Sequence, residues 1–403
     1  METLPVELIH RIFDHLDAQT LLLSIRPVCR LFQSIVQTYD RYQLDMHLIS
    51  KGKFSVLCRL VAPENVISLT LSNDERTSDQ IERFLSMLSL RQFTRLRSLT
   101  LQLINENQLE ILLKNSDLNL LNSFSCKILN DDEVNETTTR TTIDLLSSLI
   151  CQSPLRQLNL SIPDHLMLDL SWLIHSTIHS LTINCCIKIN NLHQICQCSP
   201  HLQKLSLDRV PLVRSVENLN FSQLKSLTID NVDTSIDKLE LFLLLTPSLT
   251  YLQLIGRPNM IDGKYWEDFI GKHLPHLSKF EFYFTQWESH EQTLADIQLI
   301  INSFQTSFWI EEKSWFVTCE SSKAYPKTVY LSSLPFCQSS AYYQAQSDKI
   351  SLSTYPIMMN NGLRMIDNIH SLGMHLNSSI AMDIRQKVFN NSILHYSFRI
   401  YFR

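Results

Sequence analysis

The stretch "LRSLTL" at residues 96–101 decides the fold, because polar and apolar side chains alternate through its last four residues. Successive side chains of a β-strand point to opposite faces, so Leu99 and Leu101 lie on one face and Ser98 and Thr100 on the other. The leucine face must be covered by other parts of the chain to escape water. We therefore predict a short strand that buries its leucines in a core.

The same phrase recurs along the chain at intervals of 22 to 34 residues. Between copies, segments such as residues 80–89 ("QIERFLSMLS") and 108–114 ("QLEILLK") have the apolar period of a helix. The longest interval contains the polar stretch "NDDEVNETTTRTT" at residues 130–142, which predicts a surface loop. The copies are "VISLTL" (66–71), "LRSLTL" (96–101), "LNSFSC" (121–126), "LRQLNL" (155–160), "IHSLTI" (178–183), "LQKLSL" (202–207), "LKSLTI" (224–229), "LTYLQL" (249–254) and "LSKFEF" (277–282).

A repeat of one strand and one helix indicates a stacked array, since each unit is too small to bury its apolar face alone. The stretches "CSPHLQKL" (198–205), "LTPSLTYL" (245–252) and "HLPHLSKF" (273–280) resemble the helix-to-strand turns of intracellular leucine-rich repeats. The resemblance implies an α/β solenoid, in which a curved parallel sheet carries helices on its outer side. This solenoid is expected to form the body of the protein.

The first forty residues predict three short helices, beginning with "LPVELIHRIFDHL" at residues 4–16. Pro5 suits the first position of a helix, Asp17 and Thr20 are candidate caps of the second helix, and Pro27 separates it from the third. Of the 36 residues from 4 to 39, 19 are apolar, more than so small a unit can enclose. Either a partner or the rest of the chain must therefore cover the surplus. The apolar stripe of the first helix is Leu8, Ile9, Ile12, Phe13 and Leu16.

This segment resembles the F-box motif nearly from end to end, at the motif's own spacing. The resemblance implies binding to the Skp adaptor of an SCF (Skp, cullin, F-box) ubiquitin ligase and, through that adaptor, to cullin. It is carried by Leu4-Pro5, Glu7-Leu8, Ile12-Phe13, Leu16-Asp17, Leu21-Leu22, Ile25, Val28-Cys29-Arg30, Phe32 and Ile35-Val36. The implied adaptor contacts are Leu4, Pro5, Leu8, Ile9, Ile12, Phe13 and Leu16, with Leu22, Val28, Cys29 and Phe32 supporting or joining them.

The end of the F-box segment departs from the family pattern. Many F-boxes end in a Leu-Trp pair, whereas "DRYQLDM" at residues 40–46 offers Leu44 and no tryptophan. The boundary of this domain is therefore less well defined than its adaptor contacts. The predicted organisation is an F-box at 1–46, a helical linker at 47–65, leucine-rich repeats at 66–303, a β-hairpin-like cap segment at 304–356, and a partial further repeat or poorly folded tail at 357–403.

The strand positions opposite the leucines are expected to form an open sheet face of mostly small, uncharged side chains. Tyr251 is the one aromatic residue among these positions, and it lies near the C-terminal end of the array with Gln253, Lys279 and Glu281. These four side chains are candidate contacts to a protein target. The alternative is that the face is merely solvated and that recognition lies elsewhere.

After residue 303 the repeat phrase stops, and the new pattern predicts a β-hairpin. Trp315, Val317 and Cys319 alternate with polar neighbours, and Val329 and Leu331 alternate again after "AYP". Such a hairpin is expected to pair on the exposed end of the sheet and close it; the alternative is that its aromatic residues bind substrate. Further on, "IHSLGM" at residues 369–374 predicts one more strand of the repeat phrase.

Composition indicates an ordered intracellular protein. With 44% hydrophobic and 19% charged residues and a net charge of −5, neither large-scale disorder nor nucleic acid as a main partner is expected. No run reaches the roughly 18 apolar residues of a membrane span, and the first helix lacks the features of a secretion signal. The ten cysteines lack framework spacing and suit reduced thiols in the cytoplasm and/or nucleus.

Catalysis, metals and cofactors are not expected. The six glycines are too scattered for a dinucleotide or phosphate loop. His193, Cys196 and Cys198 lie near Cys185 and Cys186, yet without the paired C-x-x-C spacing of zinc sites. A zinc-protease motif would need a second histidine four residues after the first, and the His-Glu pair at residues 290–291 lacks it.

Three hypotheses remain open at this point. The first is a substrate receptor, whose F-box binds the Skp adaptor while the repeats bind a protein target. The second is a scaffold that joins no ligase, with the N-terminal helices capping the solenoid and so burying Leu4, Ile9 and Phe13 under the chain's own residues. The third is an enzyme hidden in the tail, which would require a pocket with perturbed titratable groups around Trp315 or His290.

Overall fold

Two units make up the chain, a first unit of residues 1–205 and a second unit of residues 206–403. None of the helices in the described ranges combines the length and apolar character needed to cross a bilayer. The computed structural model describes residues 4–47, 49–74, 79–114, 116, 118–129, 136–152, 154–172, 176–213, 219–258, 262–287, 293–322, 328–335, 340–344, 349–354, 371–376 and 397–402.

Helices open the first unit, and strands then alternate with helices. The boundary between the two units falls within the residue range of strand β7. The helices are α1 (Val6–Phe13), α2 (Arg30–Thr38), α3 (Lys51–Leu60), α4 (Gln80–Met87), α5 (Glu106–Lys114), α6 (Glu136–Gln152), α7 (Asp164–Asp169) and α8 (Ile189–Cys198). The strands are β1 (Tyr42–Asp45), β2 (Val66–Ser72), β3 (Ser98–Ile104), β4 (Ser123–Ile128), β5 (Gln157–Ser161), β6 (Ser180–Ile183) and β7 (Lys204–Arg209).

The three predicted N-terminal helices are confirmed, with the second formed as a π-helical turn over Thr20–Ile25. Asp17 caps this turn, because its Oδ1 accepts the backbone N–H of Thr20 at 2.6 Å and its Oδ2 accepts the Thr20 hydroxyl at 2.8 Å. Satisfying these donors fixes the chain direction between α1 and α2.

The repeat phrase builds the sheet of the first unit, as its alternation predicts. Strands β1 to β6 lie in sequence order and pair in parallel. The same position of each phrase meets its counterpart on the next strand, so Leu69 aligns with Leu99, and Leu158 with Leu181. These leucines are buried, and the ladder they form is the apolar core that holds the strands together.

Strand β1 was not predicted. It lies in the stretch where the F-box pattern loses its tryptophan, and its Leu44 is buried and aligned with Leu69 of β2. The end of the helical segment is therefore already the first strand of the sheet.

Helix α6 corrects the prediction of a surface loop at residues 130–142. Its first turns run through the threonine-rich part of that stretch, although β-branched residues are poor helix formers. Packing outweighs propensity here, since Thr142 is fully buried and the Thr139 hydroxyl donates to Glu106 Oε2 at 3.1 Å. Residues 130–135 lie outside the described ranges.

The second unit continues the strand and helix alternation and ends in β-structure. Parallel strands β8, β9 and β10 repeat the ladder, with Leu227 opposite Leu252 and Leu252 opposite Phe280. Its elements are β8 (Ser226–Val232), α9 (Ile236–Leu243), β9 (Tyr251–Gly256), α10 (Gly263–His273), β10 (Lys279–Trp287), α11 (Leu294–Asn302), a π-helical turn (Phe308–Glu312), β11 (Phe316–Ser322), β12 (Thr328–Leu334), β13 (Ser340–Gln344), β14 (Lys349–Ser353), β15 (Ser371–Leu376) and β16 (Ser397–Phe402).

The predicted hairpin forms from β11 and β12, which pair antiparallel. Strand β12 also pairs antiparallel with β10, at the edge of β10 where a further parallel strand would otherwise lie, and β14 pairs with β11. The aromatic residues of this segment lie in the core, where Trp309 and Trp315 pack on Phe280. Their burial favours the capping role over contact with a substrate.

The last four residues of the stretch "IHSLGM" (371–374) lie in a strand, β15 (Ser371–Leu376), but not one of the repeat sheet. It pairs in parallel with β13 and β16 in a separate three-stranded sheet. The prediction that it continues the repeat was therefore wrong. Residues 357–370, 377–396 and 403 of the predicted tail lie outside the described ranges.

Candidate protein-interaction surfaces

The N-terminal helices have a core of their own. The ring of Phe13 meets the ring of Tyr39 edge to face at 5.7 Å, and Tyr39 meets Tyr42 in the same way at 5.0 Å. The Tyr39 hydroxyl donates to Asp14 Oδ1 at 2.9 Å, and the Tyr42 hydroxyl donates to the carbonyl oxygen of Val36 at 2.5 Å. Burial, followed by the hydrogen bond to Asp14, raises the pKa of Tyr39 above its ordinary value, so both phenols act as fixed donors.

The predicted adaptor contacts divide into three groups by exposure. Ile9, Phe13 and Leu22 are buried and belong to the interior of the helical segment, beneath the surface residues. Leu16 and Phe32 are half-buried. The exposed members are Leu4, Pro5, Leu8, Ile12, Val28 and Cys29.

The exposed apolar members form what we call the helical apolar face: Leu4, Leu8, Ile12 and Val28. Ile12 is 52% exposed and Val28 66% exposed, so the sheet and the other helices of the same unit do not cover these two side chains. Burial of Leu4, which the cap hypothesis requires, is not observed. Phe13 is buried, but against Tyr39 of the same helical segment and thus in the manner of a domain core.

Sequence reasoning missed two exposed apolar residues in this region, Val6 and Leu31. Leu31 belongs to the same apolar period as Ile35 and Val36, which are buried. Periodicity shows that a helix has an apolar side, but it does not tell which residues of a wide apolar side reach the core. The signal available in the sequence was the excess of apolar residues over what three short helices can enclose.

The second surface is the open sheet face, defined here as the side of β9 and β10 opposite the leucine ladder. The four residues predicted for target binding lie together on it, since Tyr251 is opposite Lys279 and Gln253 is opposite Glu281. The Tyr251 hydroxyl donates to Glu281 Oε2 at 2.5 Å, and the Lys279 ammonium lies 2.7 Å from Glu281 Oε1.

These contacts change the meaning of the predicted target site. Glu281 is buried, and a buried carboxylate is tolerated because a phenol and an ammonium compensate its charge. Lys279 also lies 5.4 Å from the centre of the Tyr251 ring. The cluster is thus pre-organised and internally paired, and the Gln253 side chain is bound as well, since its Oε1 accepts the Thr228 hydroxyl at 3.3 Å.

The cysteine and histidine residues considered for metal binding lie on helix α8 and in the segment just before it. Burial raises the pKa of the Cys196 thiol to about 12, so this side chain stays protonated and is a poor ligand. Within the described ranges, no group of three or more metal-binding side chains converges. The His-Glu pair at residues 290–291 lies outside those ranges.

A cleft of about 720 Å³ lies at the carboxyl ends of β4, β5 and β6. Its charged groups are largely paired with each other and with neighbours. Glu106 accepts the Thr139 hydroxyl and lies 3.5 Å from the imidazole of His165, and Asp164 accepts the backbone N–H of Cys186. The arrangement is that of a structural polar network.

Comparison with known proteins identifies the N-terminal segment. Residues 1–41 match the F-box-like family model, so the chain carries an F-box-like domain at its N-terminus. Among curated proteins, no sequence matches the chain. A solved structure that it is similar to is an internalin (inlF) from Listeria monocytogenes, with 15% identity over 59% of this chain and a TM-score of 0.31. The match covers 65% of the internalin chain, slightly less than two thirds.

Proposed function

We propose that this chain is the substrate-recognition subunit of an SCF-type ubiquitin ligase. The N-terminal helices bind the Skp adaptor, the adaptor binds cullin, and the open sheet face binds a protein target. The observation that carries the proposal is an exposed apolar face on an F-box-like domain whose own core is complete.

The helical apolar face supplies the driving force for adaptor binding. Leu4, Leu8, Ile12 and Val28 are each roughly half exposed or more, and covering all four would contribute on the order of 3–6 kcal/mol. Association costs of similar size must be offset, so we expect the half-buried Leu16 and Phe32 and the exposed Val6 and Leu31 to take part.

The role of the chain in the ligase is to bring a target close to the ubiquitin-transferring subunits. Tethering raises the effective concentration of target lysines at the charged conjugating enzyme. This role needs no acid, base, nucleophile, metal or cofactor from the chain itself. We propose accordingly that the protein acts inside the cell, in the cytoplasm and/or the nucleus.

The test is co-purification of the full chain with Skp adaptor after co-expression. We expect the parent chain to retain the adaptor and, when cullin is added, to retain cullin through it. The variant Leu4→Ala/Pro5→Ala/Ile12→Ala should lose both, because it removes apolar contact area without touching the Phe13 and Tyr39 core. A folded parent chain that retains no adaptor would overturn the proposal and favour the scaffold.

A control variant separates loss of a specific contact from a general effect of surface change. Ile111 lies on helix α5 and is 48% exposed, close to the value of Ile12. Replacing Ile111 by Ala should leave adaptor retention unchanged. Thermal unfolding of all variants should stay near that of the parent chain, since surface substitutions away from the core change stability by about 0.5 kcal/mol or less.

A further inference from the structure

The open sheet face ends in an exposed tryptophan held by an arginine. Trp287 is the last residue of β10 and is 61% exposed, and the guanidinium carbon of Arg257 lies 4.0 Å from the centre of its ring. Trp287 continues the period-two alternation of the open face from Lys279 and Glu281, whereas Arg257 directly follows Gly256, the last residue of β9. We call this pair the Arg257–Trp287 platform.

The backbone fixes the arginine in place. Gly256 has a φ of +149°, and a Cβ built on it would lie 2.4 Å from the backbone nitrogen of Val232 on β8. The close approach that only glycine allows brings the next residue onto β8, where the Arg257 N–H donates to the carbonyl oxygen of Val232 at 2.7 Å. The platform is therefore set by main-chain geometry as well as by the stacking of its two side chains.

Among the residues that the structure describes, none forms a hydrogen bond or ion pair with the Arg257 guanidinium. Arg257 is exposed, and no carboxylate of the described residues lies within ion-pair distance of it. A guanidinium stacked on an aromatic ring keeps its N–H edge open for two parallel hydrogen bonds to a carboxylate. The Lys279 ammonium on the same face is held by Glu281 at 2.7 Å, so the platform carries the open positive charge of this face.

We propose that the Arg257–Trp287 platform binds an acidic segment of the protein target, with a Glu or Asp carboxylate on the guanidinium and an adjacent apolar side chain on the exposed indole. One guanidinium matches the single charge of a carboxylate, whereas a phosphate carries about −1.5 to −2 and favours several cations. Tryptophan and arginine in an exposed, pre-organised position are also the residue types that dominate binding energy at protein interfaces. The inference rests on the proposed function, since it takes the sheet face as the target-binding surface.

The test uses three pools of immobilised 11-residue peptides with randomised uncharged flanks and a central Glu, Gln or phosphoserine. We expect the labelled full chain to bind the Glu pool about tenfold more than the Gln pool, the scale of a charge-assisted pair. In Arg257→Gln this ratio should fall close to one, and in Trp287→Ala total binding to the Glu pool should fall. Arg83→Gln, which changes an exposed arginine of α4, should behave as the parent chain.

Equal binding of the Glu and Gln pools by the parent chain would overturn the inference, as would an unchanged Glu preference in Arg257→Gln. Stronger binding of the phosphoserine pool would overturn the assignment of a carboxylate. Adaptor co-purification is measured on the same preparations and does not involve the platform. If the chain does not bind the adaptor but keeps its preference for the Glu pool, the ligase proposal fails and the peptide site stands. If the chain binds the adaptor but shows no preference for the Glu pool, only the peptide site is overturned.

Discussion

The helical apolar face and the open sheet face expose opposite chemistry. On the helices, Leu8, Ile12 and Val28 are exposed while a complete aromatic core lies beneath them. On the open sheet face, Tyr251, Lys279 and Glu281 satisfy one another, and among the described residues the Arg257–Trp287 platform presents an open charge. The first surface is suited to one permanent partner through apolar burial, and the second to selective contact through a few polar groups.

The largest expected effect separates the core of the helices from their face. Phe13 is almost fully buried against Tyr39, so Phe13→Ala should destabilise the helical domain by about 3–5 kcal/mol. Leu8→Ala in the same helix should cost less than about 1 kcal/mol and weaken adaptor binding instead. Amide hydrogen exchange of α1 and α2 measures the loss of stability in each of the two variants. A Leu8→Ala variant as unstable as Phe13→Ala would mean that the chain itself covers the face, and the comparison would fail.

A smaller effect is expected from the paired cluster on the sheet face. Tyr251→Phe removes the hydroxyl donor to the buried Glu281 carboxylate, which should cost about 1–3 kcal/mol because the acceptor is left short of a partner. A double-mutant cycle with Glu281→Gln, followed by thermal unfolding, isolates the coupling between the two side chains. Additive effects of the two substitutions would show that the cluster is not pre-organised, and the sheet face would then resemble an ordinary solvated surface.

The smallest effect concerns the ion pair at the junction between the helices and the sheet. The Arg95 guanidinium donates a hydrogen bond to Asp40 Oδ2 at 2.8 Å. This hydrogen bond is the main reason why the pKa of Asp40 is below its ordinary value of 3.8. A depressed pKa in the folded state gives stability that is present above 3.8 and is lost as the pH falls through the folded value. The pair is exposed to solvent, so its contribution should be below about 1 kcal/mol.

Arg95→Gln should therefore lower stability slightly at pH 7, and the difference from the parent chain should shrink as the pH falls below 3.8. Denaturant unfolding at pH 7 and pH 3 measures this difference. Asp40→Asn is the matched control, because it removes the titrating group and should abolish the pH dependence of the Arg95→Gln effect. A difference that grows on acidification would contradict the assignment.

The fold was largely predictable because its signal is repeated. Seven of the nine copies of the phrase place a leucine where Leu99 stands and the other two place a phenylalanine, and aligned leucines such as Leu69 and Leu158 fix the register without further information. The α-helical course of residues 136–142 was not predictable from local preference, since the burial of Thr142 decides it. Likewise, alternation predicted both strands of the hairpin but not that β12, the later one, pairs with β10.

The sites were predictable in composition more than in detail. The apolar excess of the first forty residues indicated a docking surface. Only the exposure of each side chain in the structure shows that Ile12 belongs to the helical apolar face and Ile9 to the interior. On the sheet, the alternation that selected Lys279 and Glu281 runs on to Trp287 in the same strand. Its arginine partner depends on the close approach at Gly256, which no spacing in the sequence reveals.

The central claim is that the helical apolar face binds the adaptor. It is tested most directly by titrating purified Skp adaptor into the full chain and measuring the dissociation constant for the parent, Ile12→Glu and Ile111→Glu. The account predicts that Ile12→Glu weakens binding at least about 100-fold, because a carboxylate would be buried without a partner, while Ile111→Glu stays within about threefold of the parent. Equal binding by the two variants, or no binding by a folded parent chain, would contradict it.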